Sequence, residues 1–286
     1  MNAAPLPATA PAPGRTSAPA PKGSAKAREM TRAAARLAAP FLIWIGVMLL
    51  SQLMHLTPSA LEASKDSENV VEAGASVISD AGLYAVRTGL TLLALLVLRP
   101  WKFFPAPRLR HLPAALAVGV LVFALWVVPG TDWFRRLCPS LAALYETWCV
   151  RSPGEMRDLA AEAARTASYY APAVTGRALF AVHMVGTGIA IAVAEEFFWR
   201  GYLLRAARTP DFLDLPIGEF HAFSFLAVTA FFAAEHAEYV AGFAAGLAYG
   251  LLYLRTRDVW AACAAHAATN LLLGAYVLAT GHWEFW

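Results

Sequence analysis

Residues 192–204 read AVAEEFFWRGYLL. Two glutamates and an arginine stand here inside an otherwise apolar run, from roughly Arg177 to Leu204. A helix of that length crosses about 30 Å of hydrocarbon at about 1.5 Å per residue. A charged side chain at mid-bilayer costs roughly 3 kcal/mol on insertion scales, so charges kept inside such a run are functional candidates. At about 100° per residue Glu196 and Arg200 share a face and pair at i, i+4. Glu195 points to an adjacent face and is not satisfied by that pairing.

The rest of the chain has the composition of a membrane protein. Of 286 residues, 58% are hydrophobic and 15% charged. Soluble domains carry about 45–50% apolar and about 25% charged residues. Besides the run above, apolar runs lie at roughly Ala35–Leu56, Ala81–Leu98, Leu112–Val128, His221–His236, Tyr239–Leu254 and Val259–Thr280. Together they predict seven spans. The connection Asp132–Tyr170 is amphipathic, with Trp133, Leu137, Leu141 and Leu144 at helical spacing. It predicts an interfacial helix or an eighth embedded one. The expected fold is therefore all-α, a polytopic transmembrane helical bundle of about seven or eight membrane helices over residues 35–286. Residues 1–34 are rich in Pro and Ala and carry Arg15, Lys22, Lys26, Arg28 and Arg32. They read as a disordered basic tail that cannot bury enough surface to offset chain entropy. A signal peptide is not expected, because no apolar core follows a short basic start.

Loop charge sets an expected orientation. The tail is basic, and the loop after the first span carries Glu62, Asp66, Glu68, Glu72 and Asp80. The next loop carries Arg99, Lys102, Arg108 and Arg110, and Arg205, Arg208, Arg255 and Arg257 follow at alternating positions. Basic loops stay cytoplasmic, which puts the N terminus inside, in a cell membrane of bacterial inner-membrane type. The net charge of +3 is dispersed and does not point to nucleic acid. Cys138, Cys149 and Cys263 are too few for a disulfide scaffold; Cys138 and Cys149 read as free thiols, with a pairing on an oxidising face as the alternative.

Two more apolar runs keep polar groups. The fifth contains Phe232 and His236 four apart, with Glu235 and Glu238 alongside. The last contains His266 and Asn270 four apart on one face. Each has a bland reading: a helix-end ion pair for Glu196 and Arg200, helix–helix hydrogen bonds for the histidines and Asn270. Arg87 reads as a snorkelling arginine and His183 as a packed histidine. Four polar sites on three apolar helices would need a separate structural excuse for each. The chemistry such a set supports is hydrolysis. An apolar setting strengthens a carboxylate as a proton acceptor, which suits a general base. A histidine beside it orients water, and a second histidine with an asparagine donates to a developing oxyanion. Two histidines and a glutamate are also a zinc set, although H-E-x-x-H is absent. No G-x-S-x-G motif marks a serine nucleophile.

Three patterns occur in order: Glu-Glu-x-x-x-Arg at Glu195–Arg200, Phe-x-x-x-His at Phe232–His236, and His-x-x-x-Asn at His266–Asn270. In these the chain resembles the CAAX protease and bacteriocin-processing (CPBP, or Abi) family of intramembrane endopeptidases over about residues 177–280. The long acidic loop and amphipathic connection resemble the bacterial relatives that accompany exosortase-type protein sorting. The resemblance implies a polar cavity open to the cytoplasm, and a protein or peptide substrate that is lipidated or membrane-anchored. It implies that Glu195 and His236 activate water and that His266 and Asn270 stabilise the oxyanion. Glu196, Arg200 and Phe232 would support them. It implies either a glutamate mechanism without metal or a divalent metal such as zinc on Glu195, His236 and His266. The alternative from another class is a non-catalytic membrane protein on the same fold: an immunity factor, chaperone or scaffold. A transporter predicts Gly/Pro-broken helices in paired halves, and no such pairing is read. With Arg200 near the end of its span, Glu195 stands about 7–8 Å deeper. His236 stands at the far end of the fifth span. Helix tilt or a shifted boundary must then bring the two level.

Overall fold

The computed structural model describes residues 22–55, 70–149 and 170–285. It is helical throughout, with no strand among the described residues. The helices are α1 (Lys22–His55), α2 (Val70–Leu98), α3 (Leu112–Val127), α4 (Asp132–Leu137), α5 (Pro139–Trp148), α6 (Pro172–Ala206), α7 (Ala222–Ala234), α8 (Tyr239–Thr256) and α9 (Val259–Thr280). A helix thus stands at each of the seven expected spans. Four stretches are long and apolar enough to cross a membrane: Ala25–Leu50, Leu109–Gly130, Pro172–Ala206 and Val259–Thr280. Gly82–Leu98 and Ala222–Ala234 are apolar but shorter.

Two expected boundaries move. α1 begins at Lys22, well inside the stretch read as a tail. Ala25, Ala27 and Ala33 favour helix, and Met30, Ala33 and Leu37 are buried in the core. The rest of that expected tail, residues 1–21, lies outside the described residues. So do Glu62, Asp66 and Glu68 of the acidic loop and residues 150–169 of the amphipathic connection. The described half of that connection is two short helices, α4 and α5, not one long one. Thr131 caps α4 by accepting from the Phe134 backbone N–H, and Pro139 starts α5. Trp133, Leu137, Leu141 and Leu144 are exposed, as an interfacial apolar face requires. Arg135 bridges Asp132 and Glu146 on the polar side. Cys138, Cys149 and Cys263 are free.

α6 is not a regular helix. Two π-helical segments, Gly186–Ala190 and Phe197–Leu203, flank the short α-helical turn Ile191–Glu196. A π segment offsets the i→i−4 ladder and is often found at functional sites. Here the two segments set the direction in which Glu195 and Glu196 leave the helix.

Small residues allow close crossings. A Cβ at Gly119 would meet Ala265 O at 2.7 Å and the Ala268 Cβ at 2.8 Å, so α3 lies directly on α9. On α8, Gly242 faces Ala233 and His236 at 3.2 Å, and Gly246 faces Thr229 at 3.0 Å. This is the small-residue packing of membrane helices, where contact replaces a hydrophobic driving force. α7 and α8 therefore form a tight hairpin, with His236 at its tip.

Gly119→Ala is expected to lower the stability of the detergent-solubilised protein by about 1–3 kcal/mol, because the overpacked crossing must open. Gly89→Ala, where a Cβ meets nothing within 4 Å, is expected to leave it unchanged or slightly raised. Thermal unfolding midpoints of the two variants check this; equal midpoints refute the tight-crossing account.

Candidate active site

α6, α7, α8 and α9, with Trp44 of α1, Trp126 of α3 and Phe285, line a cavity of about 240 Å³. Its lining includes Glu195, Phe232, His236, His266 and Asn270, together with Tyr249. The four residues expected to act together thus face one space.

Under the cavity lies a buried charge cluster. Glu196 is 0% exposed and Arg200 2%. Arg200 Nη1 donates to Glu196 Oε1 at 2.8 Å, and its Nη2 donates to the Gly246 carbonyl at 3.1 Å. His266 Nδ1 lies 3.0 Å from the same Glu196 oxygen. Arg200 also sits over the Phe232 ring at 4.7 Å. One carboxylate therefore ties α6 to α9, and its arginine ties α6 to α7 and α8. The helix-end reading of the Glu196–Arg200 pair is ruled out: α6 continues to Ala206, and the pair is interior.

Three of the cavity-lining groups, His236, His266 and Asn270, are each held by a neighbour. His236 Nδ1 lies 2.7 Å from the Phe232 carbonyl, which fixes Nδ1 as the protonated nitrogen and leaves Nε2 as an acceptor. The same ring packs edge-on to Trp126 at 5.2 Å. His266 is stacked on Tyr249 at 4.9 Å, and Tyr249 donates to Thr269 at 2.7 Å. Asn270 donates one Nδ2 hydrogen to the Thr187 carbonyl at 2.8 Å, in the first π segment. The other hydrogen stays available. Glu195 is 8% exposed, and its Oε2 is buried with no hydrogen-bond partner among the described residues.

Glu235 joins this set. Ligand atoms of Glu195, Glu235 and His236 all lie within 4.8 Å of one another. His266 is not in that group; its Nδ1 is on Glu196. The zinc set expected from sequence is Glu195, His236 and His266; the group brought together here is Glu195, Glu235 and His236. Zinc bonds of about 2.0–2.2 Å put tetrahedral ligand atoms roughly 3.4 Å apart, so small rotamer shifts would close the group on an ion. The residue types fit a divalent metal. Glu235 carries a weak sequence signal, an acid adjacent to a histidine just past an apolar run. Glu238, equally close in sequence, turns away and accepts from Tyr145 Oη at 2.7 Å.

The expected depth mismatch resolves. Glu195 stands eleven residues before Ala206, about 16 Å along the helix, and His236 fourteen beyond Ala222, about 21 Å. The two residues nonetheless meet, with ligand atoms of Glu195 and His236 within 4.8 Å of each other. Arg87 does not snorkel: its guanidinium lies over Trp44 at 4.1 Å and Tyr84 at 4.6 Å. His183 packs between Tyr84 and Tyr170, as read.

Arg200→Met is expected to destabilise the protein by about 3–5 kcal/mol, because Glu196 is left buried without its cation. Arg200→Met with Glu196→Leu is expected to recover part of that loss. Unfolding midpoints of both variants measure it; a single variant as stable as the parent contradicts the cluster's role.

Residues 177–272 match the family model described as type II CAAX prenyl endopeptidase, Rce1-like. Comparison with curated proteins and with solved structures gave no match. The matched stretch, about a third of the chain, runs from α6 into α9 and contains all three motifs and most of the helices that line the cavity. In a chain with four helices able to span a membrane, residues 177–272 thus carry a match to the Rce1-like domain, which describes a family of proteases.

Proposed function

We propose that this protein is a membrane-embedded endopeptidase whose hydrolytic water is activated by Glu195 and His236. The supporting observation is that Glu195, His236, His266 and Asn270 line one cavity, the last three each oriented by a neighbour. The substrate is a protein or peptide held at the membrane by a lipid or an anchor. The site is in a cell membrane, with the basic N-terminal side in the cytoplasm.

In this reading water donates one hydrogen bond to Glu195 and another to His236 Nε2. Its oxygen attacks the peptide carbonyl carbon as its proton passes to Glu195. The carbonyl oxygen becomes an oxyanion and accepts from the free Asn270 Nδ2 hydrogen and from His266 Nε2. With Nδ1 on Glu196, the Nε2 of His266 donates when the ring is doubly protonated, and the Glu196 carboxylate faces that charge. As the C–N bond breaks, Glu195 returns its proton to the leaving amine. The water oxygen ends in the new carboxyl group, and its second proton leaves through His236 Nε2 to solvent as that group ionises.

A second reading is favoured by the Glu195, Glu235 and His236 group. Those three residues would hold a divalent metal, which would polarise the bound water and the scissile carbonyl as a Lewis acid. The roles of His266 and Asn270 stay the same.

Glu195→Gln and His236→Ala are each expected to lower cleavage of a membrane-anchored peptide by at least about 10²-fold while the protein stays folded. Asn270→Ala is expected to cost about 10²–10³-fold in kcat. Full activity in folded Glu195→Gln refutes the assignment. A phenotype that survives this substitution would favour a non-catalytic role. Activity unaffected by a chelator supports the glutamate mechanism, whereas Glu235→Gln behaving as a metal-loss variant, with activity restored by added metal, supports the second reading.

A further inference from the structure

The basic segments meet at one end of the bundle. Lys26 pairs with Asp211 and Asp214, so the start of α1 lies on the α6–α7 loop. The Arg108 N–H and His111 both reach the Asp258 carboxylate, so the α2–α3 loop lies on the α8–α9 turn. Arg257 packs on Gly218, where a Cβ would meet its Cγ at 2.8 Å. Charge thus labels this end whatever membrane surrounds it.

The cavity is closed toward that end. Its deepest wall, Tyr249 and His266, stands seven residues inside α8 and α9, about 10 Å from the basic turn. Below it Phe197, Glu196, Arg200 and Tyr253 are all at 2% exposure or less. The opposite wall is formed by Trp126 at the last turn of α3, Leu273 two turns beyond His266, and Phe285 past the end of α9. Phe285 closes against Gly130, where a Cβ would meet its Cζ at 2.7 Å. Exposure rises the same way: Glu196 is fully buried, Glu195 nearly so, His236 half-buried and Glu235 exposed.

We infer that the cavity takes its substrate from the membrane face opposite the basic segments, through a mouth framed by Trp126, Leu273 and Phe285. With basic segments cytoplasmic, that face is extracytoplasmic. Taken with the peptidase reading, on which this clause alone rests, the substrate class is a peptide segment that emerges outside the cytoplasm or at that interface. The cytoplasmic opening implied by family resemblance cannot hold together with cytoplasmic basic loops, because mouth and basic end are opposite. The aromatic frame suits apolar side chains flanking the cleaved bond, and Phe285 is the group such a segment must displace.

The test is cysteine accessibility, which needs no cleavage. Cys138, Cys149 and Cys263 are first replaced by Ser, Ser and Ala. Leu273→Cys reports on the mouth, and the exposed Arg255→Cys on the basic end. Each is treated with a charged, membrane-impermeant maleimide in spheroplasts and in inverted vesicles. Leu273→Cys is expected to label in spheroplasts, and Arg255→Cys only in inverted vesicles. Adding Phe285→Ala is expected to raise the Leu273→Cys rate about tenfold, since thiol reactivity follows access. If Leu273→Cys disturbs folding on size-exclusion chromatography, Trp126→Cys takes its place. Labelling of the mouth from the same side as Arg255→Cys, or from the cytoplasmic side, or from neither, overturns the inference. Loss of cleavage in these variants bears only on the peptidase reading.

Discussion

Everything in the motif-bearing half of this protein hangs on one carboxylate. Glu196 accepts from Arg200 and faces His266 through a single oxygen, in a place water does not reach. Three groups that would each be costly alone in apolar surroundings compensate one another. The geometry is expensive to disturb for the same reason. Arg200 is further held by the Gly246 carbonyl and the Phe232 ring, so the cluster sets the relative positions of α6, α7, α8 and α9 around the cavity. The cavity-lining groups Glu195, His236 and Asn270 lie one layer above it.

Small residues make that layer reachable. An arginine reaches a backbone carbonyl of α8 only where helices run close, and Gly242 and Gly246 provide the approach. The same closeness brings the tip of the α7–α8 hairpin over Glu195. Packing and chemistry are therefore not separable here. A side chain added to the glycine face would move His236 before it touched any substrate.

The cost of burying charge is what makes the site readable from sequence. Glu195, Glu196, Arg200, His236, His266 and Asn270 stand out because the runs that hold them are otherwise apolar. Glu235 does not stand out, because it follows the end of α7, where a charged residue is ordinary. The two π segments leave no mark in composition or periodicity, yet they direct Glu195 and free the Thr187 carbonyl for Asn270. Arg200 invites reading as a helix end, since arginines cluster there; the π segment and the following α-helical turn carry α6 on to Ala206. α1 starts early because its alanine-rich approach favours helix, which the basic and proline-rich character of that region obscures.

The shortness of α7 has a consequence for the surrounding lipid. Thirteen residues make about 20 Å of helix, against about 30 Å of hydrocarbon. Such hydrophobic mismatch is relieved by thinning the bilayer around the short element, at a fraction of a kcal/mol per ångström. The thinning falls beside the hairpin tip, where Glu235 and His236 meet solvent. Headgroups and water are drawn in there, so on the proposed function an anchored peptide would have less far to be pulled before its backbone arrives at the carboxylates. A short helix thus makes the lipid around it part of the approach to the cavity, and the proposed peptidase activity should track the acyl length of the membrane that holds it.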